Sequence, residues 1–310
     1  MDRRIYNIMF NLHTLSSIII SVAVFVIFFA GTFSFFRDEI VNWERGHQVE
    51  TQEEIDANID PLLTALGETY NLYGRDVSLN HYYNERRVGV SMGGSKDSTS
   101  TEEDKVGAFF YLDTQDHTTA TYTDSYSLGE FLYRLHFFAQ IPYPYGYHLS
   151  GFMAFFLLFA ILTGLIVHWD KIVTNFFVFR PRAKWKTIWT DSHTAIGLIG
   201  FPFQLVYALT GAYFMLQAFQ AAPFLIALYN EDQAAMNKDL GLDTPVYEFS
   251  YGKMDSTPSL TPFIESTLEE WPTFRIHDVH VYNYGDQNMH LELGGTLPSE
   301  EKLNGEGRVI

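Results

Sequence analysis

The sequence predicts an α-helical integral membrane protein with three spans and two small α+β extracytoplasmic modules, and three observations predict it. Three long stretches carry no charged residue, the charge outside them differs sharply from one connection to the next, and the first and third stretches share histidine and glycine positions at a constant offset. Each element follows from one of these patterns.

The charge-free stretches are Thr14–Phe36, Leu149–Trp169 and Ser192–Asn230. As a helix, residues 14–36 rise about 34 Å, enough to cross a hydrocarbon core of roughly 30 Å. The run is longer than a signal-peptide core and ends in AGTFSFFRDEI with no small-x-small cleavage site, so it reads as an uncleaved anchor. Residues 148–169, containing LSGFMAFFLLFAILTGLIVHW, form the second expected span. The third is expected over 192–218. After it, AFQAAPFLIALYN reads as an interfacial or outer helix interrupted by Pro223, which has no amide hydrogen to give to a helix interior.

Charge sets the orientation. Residues 1–13 are net +1 and the loop 170–191 is net +3, whereas residues 37–147 are net −11 and residues 219–310 net −10. The positive-inside rule places the first two in the cytoplasm and the last two outside. The chain's net charge of −17 therefore belongs to the two outer blocks. Such a chain has no basic face for nucleic acid. It also has no cysteine, which excludes disulfides, zinc ribbons, thiol catalysis and cysteine-ligated iron–sulfur clusters.

An internal repeat underlies the pattern. His13-Thr14 matches His193-Thr194 and Gly31 matches Gly211, each pair 180 residues apart. The glycines suit close helix packing, since small residues let backbones approach in lipid. Leu-Thr-Gly occurs at Leu162–Gly164 and again at Leu209–Gly211. The outer blocks look alike as well. In the first, Thr51 to Glu54 reads as a capping box opening a helix through Ile55, Ile59, Leu62, Leu63 and Leu66. VSLNHYY, VGVSM and AFFYLDTQD follow as strands, with GGSKDSTSTEEDK as a loop or locally disordered segment. In the second block, residues 259–271 form a shorter helix and HVYNY-GDQN-MHLEL a hairpin. A complete repeat would start a fourth span near residue 329, so the chain is expected to be a fragment lacking that span; the alternative is a three-span protein with an outer C-terminus.

Histidine is the remaining candidate for cofactor chemistry. Of 11 histidines, His13, His136, His148, His168 and His193 lie at or near span ends. A histidine in a membrane segment is costly unless paired or functional. His13 and His193 occupy equivalent repeat positions at matched depth, as the two imidazoles of a six-coordinate b-type haem do. The bland reading is a polar tip in the headgroup region. His136 is a candidate ligand of a second, outer haem, with His148 or a residue of the missing span opposite it. His168, before Trp169, reads as an interfacial anchor. His280 and His290 read as possible cross-strand neighbours near His277, and His47, His81 and His117 as surface residues. No G-x-S-x-G, H-E-x-x-H, P-loop or dinucleotide fingerprint is present, and the spans carry no carboxylate relay.

These segments carry a resemblance. RRIYNIMFNLHTLSS, RLHFFAQ with Gly146 and Gly151 beyond it, LTGLIVHWDK, DSHTAIG and YALTGAYF together resemble the PepSY-associated transmembrane proteins, bacterial iron-regulated inner-membrane proteins that include siderophore-iron reductases. The resemblance implies four spans, PepSY-type periplasmic modules, and haem b held by span-end histidines, which carry over to His13, His136 and His193. AFFYLDTQDHTTA resembles the strand and turn closing a PepSY module, with Thr114-Gln115 and His117 where proline and glycine are more usual. The expected protein is thus a multi-pass protein of the bacterial inner membrane with a cytoplasmic N-terminus and one or two haems. It would pass electrons from a quinol or cytoplasmic donor to a periplasmic ferric-siderophore or other ferric chelate. The rivals are a non-enzymatic PepSY anchor binding a periplasmic peptide, protease or partner protein, and a component of an iron or siderophore uptake permease.

Overall fold

The computed structural model describes residues 2–47, 55–81, 83–172, 174, 179–242 and 245–297. It divides into two compact units, Met1–Arg37 with Glu130–Asp243, and Asp38–Gly129 with Thr244–Ile310. The expected capping box at residues 51–54 lies outside the described residues.

The first unit is helical. Helix α1 (Arg3–Ser34) starts where the Asp2 carboxylate accepts the Arg4 amide at 2.9 Å, an N-cap that satisfies an otherwise orphaned donor. Helix α5 (Tyr145–His168) packs on α1 and, on its other side, on α7 (Phe201–Met215), so it is the centre of the unit. Small residues are buried along these helices: Ala30 and Gly31 on α1, Ser150, Gly151 and Ala160 on α5, Ala208 and Ala212 on α7. Large ones face outward, among them Ile18, Val22 and Phe25. That inversion of the usual pattern is expected when the solvent is lipid, where close backbone approach rather than hydrophobic burial drives association.

Helices α1 and α5 are long and apolar enough to cross a membrane. The third expected span, 192–218, falls on a bent pair, α6 (Trp185–Ile199) and α7, which meet at 71° and are together apolar and long enough to form a broken span or a re-entrant loop. The Gly200 amide closes α6 on the Ile196 carbonyl at 2.8 Å, and Pro202 in the first turn of α7 has no amide to continue the ladder. Pro223 has the opposite outcome. Helix α8 (Gln217–Tyr229) runs through it without a break.

At the far end of α1, Arg37 pairs with Glu130 in helix α4 (Leu128–Leu135). Both Nε and a terminal guanidinium nitrogen lie 3.0 Å from one carboxylate oxygen, and both side chains are nearly buried.

The second unit corrects the expectation of two separate modules. Its strands are β1 (Val77–Asn80), β2 (Arg87–Met92), β3 (Ala108–Asp113), β4 (Thr119–Thr121), β5 (Arg275–Tyr282) and β6 (His290–Thr296). All six form one antiparallel sheet in the order β4-β3-β2-β1-β5-β6. The first strand of each expected module pairs with the other, Val77 opposite Val281 and Leu79 opposite Val279. Helices α3 (Asp60–Thr69) and α10 (Thr261–Glu270) each begin with a proline in the first turn and contribute to one shared core containing Leu62, Leu66, Leu79, Ile264 and Val279. The physical reason is size: a lone hairpin and helix bury too little to stand alone, and joining the two at their inner edges removes both edges from water.

Asp60 fastens the halves. Its carboxylate accepts the Leu260 amide at 2.9 Å and the hydroxyls of Ser259 and Thr261, satisfying the start of α10. The first helix also begins later than its apolar spacing predicts, because Pro61 suits a first turn. Ile55 lies before it, outside the helix, its amide bonded to the Ile276 carbonyl at 2.8 Å.

Candidate functional site

The site is built on α1, α5 and the bent pair. His13 lies in the third turn of α1 and His193 in α6, and their rings face each other with centroids 6.1 Å apart and planes tilted by 49°. The repeat relation read from sequence thus becomes a spatial one. His168, at the last turn of α5, lines the same cavity of about 150 Å³, together with Ser17, Gly164 and Gln204. His168, expected as an interfacial anchor, thus also lines the cavity of the histidine pair. The available signal was its position at the same membrane end as the other two; the competing reading of His-Trp as a headgroup anchor obscured it.

The His13 ring is held by hydrogen bonding. Its Nδ1 lies 2.9 Å from the Ala160 carbonyl oxygen on α5. A carbonyl only accepts, so Nδ1 carries a proton, and in the neutral ring Nε2 then keeps its lone pair. This is the arrangement a ligating histidine commonly shows, the far nitrogen anchored and the near one free.

His136 and His148 repeat it at other places in the helical unit. His136, just past α4, gives its Nδ1 proton to the Ile27 carbonyl of α1 at 2.8 Å. His148, in the first turn of α5, gives its own to the Met215 carbonyl at 3.1 Å and lies edge-on to Phe219 with centroids 4.9 Å apart. No ring contact or shared cavity among the described residues joins His136 to His148. The structure brings His13 and His193 together and leaves these two apart.

The remaining histidines belong to the sheet unit. His81 is buried, not a surface residue: its Nε2 bonds the Glu85 carbonyl at 2.9 Å. His280 faces Glu292 across the hairpin and His290 faces Tyr282, so the two are not direct cross-strand partners. The rings stack instead on tyrosines, His280 on Tyr282 at 3.9 Å and His290 on Tyr247 at 3.7 Å. His117 is exposed in the β3–β4 turn with φ of 58°, the left-handed conformation that makes glycine usual there. Among the described residues, no group of three or more His, Cys, Asp or Glu is placed to hold a metal ion. His13 and His193 thus form a two-imidazole arrangement.

A groove of about 840 Å³ runs between α10 and β6, lined in part by Phe263, Trp271, Phe274, Leu291 and Leu293. Strand β6 ends the sheet order, and its outer edge is unpaired among the described residues.

No curated relative matches the chain. The model of the PepSY-associated TM region matches residues 10–283, a span that takes in the inner histidine pair, His136, His148 and most of the sheet unit. The chain is a membrane protein of the PepSY-associated TM region family.

Proposed function

We propose that this protein is a b-type haem protein of the bacterial inner membrane that carries electrons across it to a periplasmic ferric-siderophore or other ferric chelate. The observation that supports this is the facing pair His13 and His193, two imidazoles from different helices with the His13 Nε2 left free for iron. The donors fit a haem iron. The cavity between them, about 150 Å³, is smaller than the roughly 300–1,000 Å³ of an enclosed cofactor pocket, so the helices would have to part to admit a macrocycle. Haem, when bound, would supply one-electron chemistry, reducing one ferric centre of a chelate to ferrous per electron drawn from a quinol, which gives two electrons in all, or from a cytoplasmic reductant.

The protein's own part is to fix depth, ligand identity and burial. His13 and His193 hold the inner position, and His136 and His148 are the candidate ligands of an outer one, completed from elsewhere. The acidic outer blocks attract cationic ferric complexes and repel anionic ones, a preference that added salt weakens. The test is the reduced-minus-oxidised absorption spectrum of the full chain purified in detergent. Sharp reduced bands, lost in His13→Ala and His193→Ala, are expected. A folded, colourless protein overturns the reading.

The groove beside β6 favours a second reading, a membrane anchor whose sheet unit takes an extended peptide or partner protein along that edge. Binding of a partner by a colourless protein would favour it. Uptake of a ferric complex without haem would favour the third class, a permease component.

A further inference from the structure

The contacts of His13 and His136 share one construction. His136 bonds the carbonyl of Ile27 and packs on Gly31, four residues on; His13 bonds the carbonyl of Ala160 and packs on Gly164, again four residues on. In an α-helix the carbonyl of residue i already accepts the amide of residue i+4, and the Cβ of i+4 leans back over it. A glycine at i+4 removes that cover. The carbonyl's second lone pair then becomes reachable from a neighbouring helix; on Ala160 the His13 ring shares that oxygen with the Thr163 hydroxyl, which lies 3.0 Å from it and 2.9 Å from the Phe159 carbonyl.

At Gly31 a side chain would displace the ring, and at Gly164 the ring would have to give by a few tenths of an ångström. A Cβ on Gly31 would lie 2.6 Å from the His136 Nδ1 and 2.7 Å from its Cε1, and one on Gly164 would lie 3.0 Å from the His13 Cε1 and 3.2 Å from its Nδ1. His148 shows the other way to reach a carbonyl. Its acceptor, Met215, is the last residue of α7, where helix carbonyls are free, and no glycine is involved. Gly211, the repeat partner of Gly31, faces Ala154 and no histidine.

We infer that Gly31 and Gly164 are positioning residues: each opens a helix carbonyl to a histidine ring, holds His136 and His13 in the Nδ1–H tautomer, and so presents Nε2 as the ligating nitrogen. The tautomer stands on the geometry alone, whereas the ligation rests on the haem reading. The close-packing role read for Gly31 is thereby given a chemical purpose. The backbone approach serves the ring, not only the helix pair.

The experiment uses the full chain in detergent, labelled with ¹⁵N-histidine and prepared from cells that make no haem. It is run at about pH 8, above the ordinary histidine pKa of about 6.5. Nitrogen shifts, assigned by difference against His13→Ala and His136→Ala, report the tautomer of each ring. His13 and His136 are expected as Nδ1–H. Gly31→Ala moves His136 to the Nε2–H form and spares His13, Gly164→Ala does the reverse, and Gly211→Ala moves neither. Haem titrated into Gly164→Ala binds about 10–100-fold more weakly, the cost typical of losing a ligand's anchoring partner. Nε2–H at either ring in the unsubstituted chain overturns the inference, as does a folded Gly31→Ala whose His136 stays Nδ1–H. If the alanine variants lose their helical circular dichroism, the unsubstituted chain decides alone. A chain that takes up no haem but keeps both Nδ1–H rings removes the haem reading and leaves the inference standing.

Discussion

His13 and His193, 180 residues apart in the chain, lie ring to ring with centroids separated by 6.1 Å. They occupy the same place in two copies of one sequence element, so the repeat delivers a pair of equivalent donors to one cavity. Chemistry that needs an imidazole on each side of one atom is thereby available without any cysteine or carboxylate.

Substituting either inner histidine is expected to abolish the reduced haem bands of that position, while His168→Leu retains two-imidazole ligation. Redox titration of the three variants in detergent checks this. Bands surviving in His13→Ala with a shifted potential would show that His168 replaces it as ligand.

Leu79→Ala is expected to destabilise the sheet unit as a whole. Leu79 is about 1% exposed on β1, opposite Val279 of β5, and truncating a leucine at such a site costs about 2–5 kcal/mol. Hydrogen exchange should accelerate in β2 and in β6 together. Acceleration confined to residues before 125 would mean two independently folded modules.

Stability of the sheet unit is expected to fall below about pH 4 through Asp60. Burial raises the Asp60 carboxyl's pKa, but hydrogen bonds from Ser259, Leu260 and Thr261 outweigh it and hold the group below its ordinary value of 3.8. A carboxyl depressed in the folded state adds stability that is complete above its unfolded pKa and is lost as pH falls through the folded one. Asp60→Asn should therefore be less stable near neutrality and show a flatter acid limb when unfolding is followed by circular dichroism. An unchanged acid limb would refute the assignment.

Glu130→Gln is expected to destabilise the helical unit, because it removes the carboxylate that the nearly buried Arg37 guanidinium meets at 3.0 Å and that Arg134 approaches at 3.8 Å. Arg37→Met with Glu130→Met should recover much of this loss. Thermal unfolding of the single and double variants measures the coupling, and additive losses would show that the pair acts through other partners.

Much of the helical unit was legible because lipid imposes a coarse code. Long charge-free runs mark α1 and α5, and basic flanks mark their expected side. The bend at Gly200 was harder to read, since Pro202 sits where either a kinked span or two helices is possible, and Pro223 shows that a proline need not break a helix. The hairpin of β5 and β6 was readable from alternation and a turn. Its partnership with β1 was not, because strand pairing across about 200 residues leaves no local periodicity.

By itself the sequence determined which segments are apolar enough to enter a membrane, that the acidity lies in two blocks between and after them, and that histidine recurs at the ends of the apolar stretches, since these are properties of composition and spacing. Only the tertiary structure decided that two apparent modules are one sheet, that His168 joins His13 and His193, and that Gly31 and Gly164 admit histidine rings. Each depends on distances between residues remote in the chain, and those are settled by close packing and by the need of every buried donor for an acceptor.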